Sequence, residues 1–272
     1  MQNFSCSPRE MIASIWRNRS LVIALTKREV IGRYRGSMLG ILWSFFNPVF
    51  MLVVYTFVFS VVFKARWSGG GDSKTEFALI LFSGLIVFSL FAECINRAPS
   101  LILANVNYVK KVVFPLEILP LVALLASLFH FMVSLIVWLI FYLIFFGKPQ
   151  HSIIFLPLVI LPLIFLTVGL SWVLASLGVY LRDISQIVGV LTTALMFLSP
   201  IFYPISALPL EFQTSMHLNP LTLVIESTRE VLVRGHIPSL KLWTIQLAVS
   251  IMLAWLGFAW FQRTRKGFAD VL

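Results

Sequence analysis

Long apolar runs without Asp, Glu, Lys or Arg alternate with short charged stretches along the chain. About 20 apolar residues cross the hydrocarbon core of a bilayer as a helix, and a charge at its centre costs about 2.5–3.5 kcal/mol. The predicted fold is therefore an all-α integral membrane protein forming a single transmembrane domain over residues 1–272. Its six spans are predicted at residues 37–63, 77–93, 117–146, 153–181, 184–206 and 242–262.

An amphipathic pattern precedes the first run. Residues 7–10, of sequence Ser-Pro-Arg-Glu, have the form of a capping box with proline at the first helical position. Beyond them Ile12, Ile15 and Trp16 fall on one face of a helix. The pattern predicts an amphipathic helix at residues 7–30 that lies in the membrane interface.

Two stretches between runs are longer than a helix connection of about two to eight residues requires. Residues 93–116 carry polar side chains around an apolar patch, which favours a short helix that docks on a partner protein. Residues 199–240 are rich in proline, and Glu226 and Arg229 forbid lipid exposure at depth. We expect this second stretch to contain interfacial or re-entrant helices that close one end of the protein.

Composition supports the membrane assignment, and the distribution of charge predicts how the chain is oriented in the membrane. Hydrophobic residues make up 59% of the chain and charged residues 12%, against about 25% charged in soluble domains. The net charge of +10 therefore does not form a solvated face for nucleic acid. Six spans place both termini on one side, which would hold 14 of the 21 Lys and Arg residues, so both termini are predicted to be cytoplasmic.

The apolar runs lack the groups that most membrane chemistry uses. Ion relays need charged residues within the spans, whereas His130, the one titratable candidate near mid-membrane, makes no relay by itself. Glycosyl transfer or hydrolysis would need paired carboxylates or a metal or Ser/His constellation. Residues 69–75, Gly-Gly-Gly-Asp-Ser-Lys-Thr, lack a phosphate-binding loop because Ser68 and Ser73 replace its two glycines. We therefore predict no catalytic, metal or cofactor site in this chain, and an external energy source.

The aromatic residues of the first predicted span fall on two helical arcs. Sugars stack on aromatic faces, so either arc is able to line a polysaccharide conduit, while lipid contact and core packing are the commoner roles. The pattern does not choose between the arcs. One holds Trp43, Phe46, Phe50 and Phe57, and the other holds Phe45, Tyr55, Phe59 and Phe63.

Five motifs follow one another along nearly the whole chain. They are Arg33-Tyr34-Arg35-Gly36-Ser37 with Leu39-Gly40, Leu42-Trp43 and Asn47-Pro48; Tyr180-x-Arg182-Asp183-Ile184; Leu198-Ser199-Pro200-Ile201-Phe202-Tyr203-Pro204; Asn219-Pro220-Leu221-Thr222; and Gly267-Phe268-Ala269-Asp270. The set resembles ABC-type polysaccharide export permeases, the family of O-antigen, capsule and teichoic-acid exporters. The resemblance implies a six-helix subunit of the bacterial cytoplasmic (inner) membrane. It would dimerise and pair with two ATPase subunits, which bind ATP and Mg, to export a lipid-linked glycan between its two copies.

The same resemblance assigns roles to residues. The ATPase-coupling loop at residues 93–116 would act through Arg97, Leu101, Ile102, Asn105, Lys110 and Lys111. Because the first and fifth helices of the family line the channel, the resemblance favours an aromatic arc of the first span but leaves the choice of arc open. The candidate channel lining is Trp43, Phe46, Phe50, Phe57, Phe197, Phe202 and Tyr203. The external gate segment at residues 199–240 would use Pro200, Pro204, Asn219, Pro220, Glu226 and Arg229.

Two alternatives stay open. An ABC exporter of a drug or lipid shares the architecture but not the motif set. A membrane enzyme of glycan or lipid assembly would need the catalytic constellation that the runs lack.

Overall fold

The computed structural model describes residues 5–58, 74–110 and 114–272, and these residues form helices and turns. Within these described residues, five helices are long and apolar enough to cross a membrane: Gly40–Val58, Thr75–Ser100, Leu116–Phe146, His151–Tyr180 and Leu240–Val271. Ile184–Leu198 is a shorter apolar helix of 15 residues. This confirms the all-α membrane class. The sixth span stays a prediction, because 15 residues rise about 22 Å and the hydrocarbon core is about 30 Å thick.

The amphipathic N-terminal region is two helices, α1 (Pro8–Arg17) and α2 (Arg19–Tyr34). The serine N-cap of the predicted capping box is confirmed, since the Ser7 hydroxyl accepts a hydrogen bond from the Glu10 amide at 3.1 Å. The reciprocal bond is not made, because the Glu10 carboxylate accepts from Arg17 and the Ser7 amide donates to the Ser5 hydroxyl. Asn18 ends α1, and its side-chain amide donates to a carbonyl one turn earlier. The region predicted at residues 7–30 is thus broken in the middle and continues beyond residue 30.

The first span begins later than predicted. Gly36 and Gly40 adopt positive φ angles of 87° and 54°, which favour glycine and prevent α2 from continuing. Helix α3 (Trp43–Tyr55) follows, and Ser44 and Leu52 are its buried residues. Residues 59–63 of the predicted span lie outside the described part of the chain.

Helix α4 (Lys74–Arg97) is the centre of the bundle. From Phe77 to Phe91, every residue except Ser89 is buried. The remaining helices complete the bundle around α4 and its neighbours or lie at the ends of the bundle. They are α5 (Val106–Val109), α6 (Leu119–Phe146), α7 (Leu156–Tyr180), α8 (Ile184–Leu198), α9 (Leu210–Met216), α10 (Pro220–Arg229), α11 (Leu240–Thr264) and α12 (Phe268–Val271).

Helices α7 and α11 approach each other through glycine. A Cβ atom built on Gly257 would lie 2.2 Å from the carbonyl oxygen of Gly169. Small residues allow such close backbone contact between membrane helices. We call the end of the bundle that holds both termini the terminal end, and the end that holds residues 199–240 the far end.

The far end contains a buried helix. Helix α8 stops at Leu198, short of the predicted residue 206, and Pro200 and Pro204 follow in a segment without regular helix. Helix α10 then packs into the bundle with Leu221, Val224 and Ile225 buried. A π-helical turn, Glu230–Arg234, ends at Gly235 with a φ of 77°.

Candidate coupling and transport sites

The predicted coupling loop is seated on α7 by its backbone. A short turn, Ala98–Ser100, follows α4 and lies against Gly178. A Cβ atom on Gly178 would lie 2.0 Å from the Pro99 carbonyl oxygen. Only a residue without a side chain permits this contact.

The apolar patch expected on this loop is not a surface. Ile102 is completely buried and Leu101 nearly so, because the turn folds back onto the bundle. The expectation that these two side chains dock on a partner is therefore wrong. Asn105 is half-buried and donates to the Leu101 carbonyl at 2.9 Å, and Lys111 lies outside the described residues. Among the described residues of this loop after Ser100, the exposed ones are Leu103, Ala104, Asn107 and Lys110.

Charged residues join α2 to the end of α4. Arg97, predicted as a coupling residue, pairs with Glu29 and lies 3.9 Å from Glu93. Arg33 also pairs with Glu93, at 2.5 Å. Arg97 is thus turned toward the N-terminal helices, where it links the loop to α2.

A second ion pair at the terminal end is buried. Both oxygens of the Glu117 carboxylate are used: one accepts from the Ser14 hydroxyl at 2.7 Å and the other from Arg265 at 2.6 Å. Arg265 also donates to the Phe114 carbonyl at 2.7 Å, and the Trp172 indole donates to the Glu117 carbonyl at 2.9 Å. One carboxylate therefore joins α1, the start of α6 and the end of α11.

The sequence pattern does not predict the role of Glu117, which marks only the start of an apolar run. The available signal was a lone acidic residue at the head of that run, which must find a partner if it is buried. The partners lie 103 and 148 residues away in the chain.

The far end is held by a buried arginine. Arg229 is 2% exposed and donates to the carbonyls of Pro200 at 2.5 Å, Ile201 at 2.8 Å and Ile80 at 3.3 Å. Glu226 accepts from the same guanidinium at 2.7 Å. Burial lowers the pKa of Arg229 to about 10 and Glu226 opposes this, so the group stays protonated at neutral pH. Arg229 thus ties α10 to α4 and to the segment after α8.

Two of the other predicted gate residues, Asn219 and Pro220, lie at the start of α10, the helix that carries Arg229. Asn219 caps α10, since its side-chain oxygen accepts from the Leu221 amide and its nitrogen donates to Ser199, both at 3.0 Å. Pro220 begins α10 and its carbonyl accepts from Gln246. Pro204 lies apart, before the turn at Ile205–Ala207.

We expect Arg229→Lys to lower the free energy of unfolding by about 1.5–3 kcal/mol, because an ammonium group cannot reproduce the planar fork of donors. Thermal unfolding of the purified chain in detergent measures the change. Arg234→Lys is the matched control. Arg234 is exposed, and among the described residues its salt bridge is with Glu230, so the change should cost little. Equal unfolding temperatures for the two variants would contradict the role of Arg229.

The predicted aromatic lining divides between two places. Phe197 and Phe202 stack with ring centroids 5.7 Å apart, and the Tyr203 hydroxyl donates to the Phe197 carbonyl. These three residues therefore form one cluster at the far end. On α3 and the turns flanking it, the predicted aromatics are exposed in the single chain: Trp43, Phe46, Phe50 and Phe57.

Phe50 of the first arc is 64% exposed, whereas Tyr55 of the second arc is half-buried and packs against the hydrophobic core. Phe45, also of the second arc, is 38% exposed, and Phe59 and Phe63 lie outside the described residues. The Phe50 arc is thus free for lipid, for substrate or for another protein chain.

Comparison with known proteins identifies the family. The sequence profile of the ABC-2 type transporter family matches residues 20–233, which is most of the chain. The chain belongs to this family. As a member of the ABC-2 type transporters it is a transport component and a multi-pass membrane protein, and the resemblance seen in its motifs is confirmed.

Three relatives of this ABC-2 type transporter align over most of its length. It is 29% identical to the O-antigen export system permease protein RfbA of Myxococcus xanthus, over 96% of this chain and 98% of the relative. Identity to the protein of the same name in Klebsiella pneumoniae is 26%, over 93% and 95%. Identity to the polysialic acid transport protein KpsM of Escherichia coli is 27%, over 79% and 82%.

Proposed function

We propose that the chain is the membrane-spanning permease subunit of an ATP-driven exporter that moves a lipid-linked, O-antigen-like polysaccharide across the bacterial cytoplasmic membrane. The observation that carries the proposal is end-to-end similarity to permeases whose names state O-antigen export. A relative named for polysialic acid transport supports the same substrate class.

The partners follow from this assignment. ATP and Mg are bound by a separate ATPase subunit, present in two copies, and two copies of this chain enclose the path of the glycan. The exposed part of the coupling loop offers Asn107 and Lys110 to the ATPase. Its seat against Gly178 supports coupling, since a push on the loop reaches α7 through direct backbone contact.

A deletion strain tests the function. We expect completed lipid-linked glycan to accumulate inside the cell and to disappear from the surface, with both changes reversed by the wild-type gene. Loss of glycan synthesis without accumulation would instead indicate an assembly enzyme. Normal surface glycan with altered drug or lipid efflux would indicate an exporter of another substrate.

Orientation is tested by cysteine labelling in a Cys6→Ser background, in which Cys94 is buried. With the termini cytoplasmic, Ser215→Cys at the exposed far end reacts with a membrane-impermeant maleimide in intact cells. Ala269→Cys, exposed at the terminal end, reacts only with a permeant maleimide. The opposite labelling would reverse the proposed topology.

A further inference from the structure

A cavity of about 500 Å³ lies within the single chain, between the end of α2 and helices α3, α4 and α6. Its size is within the range of small-molecule sites, about 300–1,000 Å³. Of the aromatic residues predicted to line the channel, Trp43 lines this cavity, whereas Phe46, Phe50 and Phe57 do not. The cavity therefore meets the predicted channel lining at Trp43 and otherwise lies on the other side of α3.

Polar side chains converge on this cavity from three apolar helices. Asn47 comes from α3, Ser89 from α4, and His130 and Ser134 from α6. Ser89 is the one exposed residue in an otherwise buried stretch of fifteen positions, Phe77 to Phe91, and what it faces is the cavity. Such placement is not required for packing the bundle, which the apolar residues already achieve.

Several of these groups have no hydrogen-bond partner among the described residues. Asn47, Ser89 and Ser134 make no side-chain hydrogen bond there. The Nε2 atom of His130 is buried and unpaired within the same residues, while its Nδ1 atom lies 3.3 Å from the Tyr34 hydroxyl. Asn47 and Ser89 are exposed and Ser134 is half-buried, so their polar atoms are accessible from the cavity, whereas the buried His130 Nε2 atom would normally be paired. These groups suit an occupant that has its own donors and acceptors.

The charges and the aromatic residues of the cavity wall limit the chemical class of the ligand. The charged groups on the wall, Arg33 and Glu93, neutralise each other in an ion pair of 2.5 Å. The wall therefore offers no unpaired cation to a phosphate group. Trp43 and Tyr55 line the cavity from the two ends of α3 and provide aromatic faces. Neutral hydrogen-bonding groups beside aromatic faces suit a sugar ring, which has hydroxyl groups on its edge and C–H groups on its face.

We propose that this cavity binds sugar residues of the transported glycan within one copy of the permease. The inference rests on the proposed function and adds a substrate site to it. The site lies on the inner side of α3 and includes Trp43, and α3 separates it from Phe46, Phe50 and Phe57.

Photo-crosslinking tests the site with the cell's own glycan as the probe. Benzoylphenylalanine replaces Met51, which lines the cavity, or the adjacent Phe50, which points outward, or Ile144, an exposed residue of α6 away from the cavity. After illumination of intact cells, we expect glycan attached to the Met51 variant and none attached to the Ile144 variant. Wild-type levels of surface glycan show that each variant is assembled.

The remaining outcomes overturn the inference in distinguishable ways. Capture at Phe50 alone would leave the export function standing and place the sugar path outside the cavity. Capture of phospholipid at Met51 would assign the cavity to a lipid headgroup. If the deletion strain accumulates glycan but the Met51 variant captures nothing, the export function stands and the cavity holds only water.

A substitution provides a second measurement. We expect Asn47→Leu to slow export by about threefold to tenfold, the effect of one lost hydrogen bond, with the ATPase still co-purifying. Thr244→Val, at an exposed residue of α11 outside the cavity, is the matched control and should export at the wild-type rate. Equal export rates in both variants would contradict a ligand contact at Asn47.

Discussion

Replacing Glu117 by leucine is expected to lower the free energy of unfolding by about 3–5 kcal/mol, the usual cost of leaving one member of a buried ion pair without its partner. The Glu117 and Arg265 side chains are only 8% and 11% exposed, so water cannot replace the lost carboxylate. Ser14 loses its acceptor in the same variant, and α1 should detach from the bundle. Thermal unfolding in detergent and proteolysis of the N-terminal region measure the two effects.

The double variant Glu117→Leu with Arg265→Met is the control. Apolar side chains of similar volume can replace a buried pair at little cost, so most of the stability should return. A residual loss of about 1–3 kcal/mol is expected from the unpaired Ser14 hydroxyl and Phe114 carbonyl. If the single variant unfolds no earlier than the double variant, the pair does not hold the terminal end together.

Gly178→Ala is expected to displace the proposed coupling loop. The new methyl group would lie 2.0 Å from the Pro99 carbonyl oxygen, where carbon contacts are normally about 3.5–4.0 Å. The contact is with backbone, so the turn must move, at a cost of about 1–3 kcal/mol. Co-purification of the ATPase subunit and export of glycan should both fall sharply.

Two glycine variants separate coupling from folding. Gly189→Ala meets no atom within 4 Å and should behave as wild type. Gly257→Ala meets the Gly169 backbone between α7 and α11 and should lower the unfolding temperature, while the protein that folds retains the ATPase. If Gly178→Ala lowers stability but keeps the ATPase, the contact with Pro99 is structural and not a coupling seat.

The order of most helices along the chain could be predicted from the sequence. A charge is costly in hydrocarbon wherever it stands, so each charge-free run can be recognised without knowing which helices pack against it. The same holds for the cap at Ser7, whose partner is three residues away. Burial is different. The run at residues 77–93 was the shortest and yet forms the central helix, because burial on all sides depends on neighbours that periodicity does not reveal.

The candidate sites show the same limit. The polar residues on both sides of Ile102 predict a docking residue, but the turn buries Ile102 in the core. The charge of Arg229 correctly predicts that it does not face lipid. Its partners, the carbonyls of Ile80 and Pro200, could not be predicted because they lie on two other segments that meet α10 only in the fold. The polar cavity was missed because its side chains are separated along the chain and each is unremarkable alone.

The contact between Glu117 and Arg265 also sets an order of events during biosynthesis. Arg265 is translated 148 residues after Glu117, which takes about 7–30 s at ordinary rates of synthesis. During that interval the carboxylate has to stay hydrated at the membrane surface, and Ser14 has no complete site to dock on. Helix α1 is therefore among the last helices to pack onto the bundle. A nascent chain that stalls within α11 would keep its N-terminal helix loose and open to proteases.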